Sequence, residues 1–238
     1  MLRFVAVALC LCAGPATAEA EWVLGGYLGA AHTMTAALSV AQPSADTNVT
    51  LASVEYHGAS FTPPIYYGYR VAYFLSDVSW LGFEAEVIHL KVYARTDGFS
   101  RASGRVMGVS IDGDVPVRVI VESFSISHGL NFAILNVVVR RALSGRSDGP
   151  VTFLARGGIG PTVPHAESRI GGVFEEGHEI GAPGIQVAAG IEVRLARRLG
   201  VIAEYKLTTT NQTVSISEGE AQGRFTSHHG VFGLTWHL

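Results

Sequence analysis

The chain has 238 residues, 16% of them charged, with 28 glycines, a mean hydropathy of +0.30 and a formal net charge of −3. That charge content lies well below the about 25% of an average soluble domain, and no basic block offers a footprint for nucleic acid. After the N-terminal segment no stretch approaches the ~18 apolar residues of a membrane helix, so a strand-built protein is expected.

The first eighteen residues read as an export leader. Arg3 gives a short positive start, Phe4 to Ala13 an apolar run, and Ala16-Thr17-Ala18 a small-x-small cleavage site. Both cysteines, Cys10 and Cys12, lie in this segment, and neither follows the small residue that lipid anchoring requires. Residues 19–238 then form one cysteine-free domain that cannot be stapled by disulfides.

Eight segments with period-two alternation follow, roughly 21–32, 64–75, 80–93, 125–141, 151–163, 183–195, 199–210 and 225–238. In 80–87 Leu81, Phe83, Ala85 and Val87 alternate with Trp80, Gly82, Glu84 and Glu86. In 185–195 Ile185, Val187, Ala189, Ile191, Val193 and Leu195 oppose Gln186, Ala188, Gly190, Glu192 and Arg194. In 199–207 Leu199, Val201, Ala203, Tyr205 and Leu207 oppose Gly200, Ile202, Glu204 and Lys206.

The connections alternate between short (76–79, 142–150, 196–198) and long (33–63, 94–124, 164–182, 211–224). This predicts an all-β fold: an eight-stranded antiparallel up-and-down transmembrane β-barrel with short periplasmic turns and long extracellular loops. A soluble, lipocalin-like barrel has the same periodicity with its faces exchanged. Aromatic residues favour the membrane form. Trp22, Tyr66, Tyr67, Tyr69, Tyr73, Phe74, Trp80, Phe83, Tyr93, Phe153, Tyr205, Phe225, Phe232 and Trp236 fall mainly near segment ends, where interfacial girdles belong.

The minority faces carry Arg70, Arg156, Arg194 and Lys206 against Glu84, Glu86, Glu192 and Glu204. Eight buried charges are tolerable only when paired, so a charge network is expected to plug the lumen. The reading excludes an open pore.

Most of the nine histidines gather toward one end, with His237 at the other. His89 and Lys91 close the third segment, His128 and Asn131 open the fourth, His165 and Glu167 follow the fifth, and His228-His229 open the last. Adjacent strand residues point to opposite faces, so at most one of His228 and His229 enters the lumen. Such a rim offers ligands for a divalent metal or a general base. It equally makes a polar collar where loops meet water. No GxSxG elbow, phosphate loop or dinucleotide fingerprint is present.

The runs PPIYYGYRVAYFL, WLGFEAEVIHLKVYA, SHGLNFAILNVVVRR, GGIGPTVPHAES, GIEVRLARRLGVIAEYKLT and SHHGVFGLTWHL resemble small OmpA-type barrels. More particularly they resemble the alphaproteobacterial outer-membrane barrels that include the rhizobial lipid A oxidases. That resemblance implies a bacterial outer-membrane protein using molecular oxygen to convert the proximal glucosamine of lipid A to 2-aminogluconate. The matching positions, hence catalytic candidates, are His89, Lys91, His128, Asn131, His165, Glu167 and His229. The expected partners are outer-membrane lipid and lipopolysaccharide, with the barrel a monomer; the cofactor is unknown beyond oxygen and a possible divalent metal. The alternative is a non-enzymatic structural or adhesive barrel.

Overall fold

A computed structural model describes residues 20–143 and 149–238. The leader reading, and most of the 142–150 turn, lie outside the described residues. Fourteen strands form one continuous sheet: β1 Glu21–Thr33, β2 Ala36–Gln42, β3 Thr47–Val54, β4 Tyr56–His57, β5 Tyr67–Phe74, β6 Leu81–Ala94, β7 Phe99–Val106, β8 Val109–Pro116, β9 Ser123–Ala142, β10 Val151–Ile170, β11 Val173–His178, β12 Gly181–Arg194, β13 Leu199–Ile216 and β14 Gly219–His237. Eight of them pair antiparallel in the ring β1-β5-β6-β9-β10-β12-β13-β14, which closes because β1 pairs with β14 from Val23↔His237 to Thr33↔Ser227. Closure removes every sheet edge from the ring, which a structure surrounded by hydrocarbon requires.

The two faces divide as alternation demands. Val187, Ile191 and Tyr205 are 54%, 43% and 56% exposed, whereas Glu192 and Glu204 are each 6% exposed. Trp22, Tyr69, Phe83, Phe153, Phe232 and Trp236 also face outward. Tyr66, Phe74 and Phe225 do not join the girdles: all three are buried.

Inside, three cations meet three anions. Arg70 lies 3.3 Å from Glu204, Arg156 is 3.4 Å from Glu84 and 3.1 Å from Glu204, and Lys206 contacts Glu86 and Glu204. Neutral side chains add further hydrogen bonds. Asn136 donates to Glu84 and Glu86 at 3.0 Å, Gln186 to Glu86 at 2.6 Å and Tyr27 to Glu86 at 2.7 Å. Gly68 lets Tyr27 cross the lumen, since a Cβ there would lie 2.1 Å from the phenol. The expected single network of eight charges is corrected here. Glu192 and Arg194 belong to a second cluster at the short-turn end, with His237 bridging Glu192 (2.5 Å) and Glu21 (2.7 Å). Arg194 is only half-buried and bonds His237 and a turn carbonyl, because its strand ends there.

The long connections are not loops. β13 and β14 run on to a turn at Ser217-Glu218, and β10 continues to Ile170 to hairpin with β11. β14 then extends the sheet through β2, β3, β7 and β8. Along β13 the phase never changes, but the chemistry does. Below Leu207 the outward residues are Val201, Ala203 and Tyr205, and the inward ones Glu204 and Lys206. Above it Asn211, Thr213 and Ser215 face out, while Val214 and Ile216 are buried. β14 inverts alongside, with Leu234 and Phe232 outward below, Gln222 and Arg224 outward above, and Phe225 and Ala221 buried. The upper storey thus holds an ordinary apolar core (Leu38, Leu51, Tyr56, Phe124, Ile126, Phe225) on top of the charged lumen.

Candidate functional site

The inversion level marks where hydrocarbon gives way to water, and the candidate residues gather there. On β6 the outward row Phe83, Ala85, Val87 ends in His89. That ring stacks on Tyr67 at 4.9 Å, and its Nδ1 lies 2.8 Å from the Asn131 side-chain oxygen. Asn131 in turn donates to the Val163 carbonyl at 3.2 Å. His89 is buried and its Nε2 has no hydrogen-bond partner.

Above this pair the register slips on both sides of β9, between Leu90 and Val92 of β6 and between Pro164 and Glu167 of β10. Gly129 sits in the slip at φ +123°, where other residues are strained. The bulge explains a conflict in the sequence, where strict alternation sets His128 and Asn131 on opposite faces. It turns both outward while Asn136 stays inside.

His128 then meets β10. Its Nδ1 is 2.8 Å from Glu167 Oε1 and 3.1 Å from the Ser127 hydroxyl, which itself donates to the same carboxylate. His165 and Glu167, two apart on one strand, share a face. The His165 ring lies 4.5 Å from His128 and stacks flat on His178 of β11 at 3.9 Å. The nearest donor atoms of His128, His165 and Glu167 are all within 4.8 Å of one another. This stretch lies just above the apolar band, which on β10 ends at Val163. Burial holds the His165 imidazole below its ordinary range, with His178 and His128 adding to the effect.

Two candidates lie elsewhere. His229 points into the lumen, with Tyr66 Oη 2.9 Å from Nδ1 and Thr208 Oγ1 2.9 Å from Nε2. Lys91 is buried in the wall. β5 begins only at Tyr67, so the segment Gly58–Tyr66 fills the slot between β1 and β6, and the Lys91 ammonium ties it down through the Thr62 and Pro63 carbonyls at 3.2 and 3.0 Å. The structure therefore unites His89 with Asn131, and His128 with His165 and Glu167, on adjacent strands. It separates them from His229 and from the structural Lys91. Ser127 carries no signal in the sequence and only the bulge reveals it, whereas Tyr66 and Tyr67, expected as girdle aromatics, pack on His229 and His89 instead.

A closed ring with an apolar skin, a salt-bridged filling and no free edge defines the class: a β-barrel that crosses an outer membrane. No protein family and no curated sequence matches the chain. Among solved structures it is similar to Neisserial surface protein A (NspA), at 10% identity over 92% of this chain and 98% of that one, with a TM-score of 0.43. It is also similar to Ail, the attachment invasion locus protein of Yersinia pestis. In complex with the heparin analogue sucrose octasulfate, Ail is 11% identical over 92% of this chain and 99% of that one, with a TM-score of 0.38. A second Ail structure gives 10%, 93%, 99% and 0.36.

Proposed function

We propose that this barrel has its long-strand storey outside the cell and works on the lipid around it, as an oxygen-dependent modifier of lipid A. One observation carries the reading: His128, Asn131 and Glu167 are open on the outer wall, with His89 and His165 buried directly beside them, at the level where the exterior turns from apolar to polar. A lipid headgroup reaches that level from the side; a solute in the lumen does not. The chemistry implied by the resemblance balances as follows. The anomeric carbon of a glucosamine hemiacetal gives up two electrons and two protons, which molecular oxygen accepts to become hydrogen peroxide. Water then opens the lactone to the acid. The sugar gains one oxygen atom.

Mass spectrometry of lipid A from aerobically grown cells with and without the gene tests this. A species heavier by one oxygen, present only with the gene, is expected; identical spectra would remove the reading. A second reading, a surface barrel that grips a partner, has one observation of its own. Phe99 of β7, Val109 of β8 and Met107 in the turn between them are exposed, and β8 is a free edge of the sheet among the described strands. Unchanged lipid A together with loss of adherence on deleting residues 99–116 would favour it.

A further inference from the structure

We infer that His128, His165 and Glu167 form a binding site for one divalent first-row transition-metal ion on the outer wall of the barrel. The sheet itself builds the donor set. His165 and Glu167 project side by side from β10, and the Gly129 bulge swings His128 across from β9 to complete a triangle. Two imidazoles and one carboxylate on one side of an ion, with the other side open, suit first-row metals that keep positions for exogenous ligands.

A second observation points to a missing partner. His165 is 7% exposed, and its Nδ1 is out of water with no hydrogen bond. Burying such a nitrogen unpaired is costly, and a cation would satisfy it. An ion about 2.1 Å from each donor draws the three atoms closer than they now stand. His128, with 59% of its side chain exposed, has room to turn inward on exchanging its bonds to Glu167 and Ser127 for the ion. The surrounding groups support the ligands. Ser127 hydrogen-bonds the Glu167 carboxylate, and His178 covers the outer face of the His165 ring.

The inference deepens the lipid-modifying reading by supplying its metal, yet the two fail separately. The full-length gene product, untagged and purified from outer membranes in detergent, is stripped with chelator and titrated with Co2+, read by its visible absorption and by elemental analysis. One equivalent is expected. His165→Ala and Glu167→Gln should abolish that equivalent while preserving heat-modifiable migration, which reports a folded barrel. Ser127→Ala should weaken it about tenfold, the usual effect of losing a group that orients a ligand. His228→Ala, on the same rim but bonded to Tyr205, should change nothing. Failure of the wild-type protein to take up a stoichiometric ion would overturn the site, as would an undiminished equivalent in the His165 and Glu167 variants. Stoichiometric Co2+ with unaltered lipid A would leave the metal site standing and remove the oxidase reading.

Discussion

Lys206 has no exposed surface, and its ammonium meets the carboxylates of both Glu86 and Glu204. Desolvating such a cation is costly, and only close pairing offsets the cost. Removing one partner leaves an uncompensated charge in the lumen, an effect worth about 3–5 kcal/mol. Lys206→Met should therefore lower the urea midpoint of the barrel in vesicles strongly, whereas Lys206→Met combined with Glu86→Gln should recover much of the loss. Equal midpoints for the single and double variants would show that the pair is not coupled. Gly129 works through shape: its positive φ permits the bulge, and a Cβ there would sit 2.5 Å from the His89 ring.

At the scale of the strand, one alternation serves two solvents. A charge on the lipid face of a barrel costs about 2–4 kcal/mol at mid-membrane and almost nothing in water. Val187→Arg, in the apolar band of β12, should destabilise the folded barrel by that order. Thr213→Arg, on the outward face of β13 above the inversion, should leave its unfolding curve unchanged. Comparable losses for the two would mean that the boundary is misplaced. The same inversion explains what could and could not be read from sequence. The eight membrane segments were legible because Leu81 to Val87, Ile185 to Leu195 and Leu199 to Leu207 keep apolar residues on one phase. The apolar alternation stops at residues 163 and 210 because beyond them the outward positions become Glu167, Asn211 and Thr213, so the pattern looks like loop. The site was legible as a collection of histidines. Their grouping was not, because the slips on both sides of β9 shift the phase in a way no periodic pattern records. Arg194 falls outside the central network for a simpler reason: alternation gives the side of the wall but not the depth along it.

On the scale of the whole molecule, the interior is closed at two levels. Side chains from seven of the eight ring strands (Tyr27, Arg70, Glu84, Glu86, Asn136, Arg156, Gln186, Glu204 and Lys206) cross the lumen in one hydrogen-bonded net. The apolar core of the upper storey sits on top of it. A ring of eight strands leaves room for little more than its own side chains. Planar bilayers containing the protein should show a flat current trace, and discrete conductance steps would contradict the packing.

The flip of inside and outside chemistry partway up β13 and β14 also works as a waterline. Sinking the barrel would drag Asn211 and Arg224 into oil; raising it would strip Leu207 and Phe232 of their cover. Either displacement is resisted on every flank at once, so the draught of the hull is fixed. His128 and Glu167 are thereby kept at one height relative to the surrounding lipid.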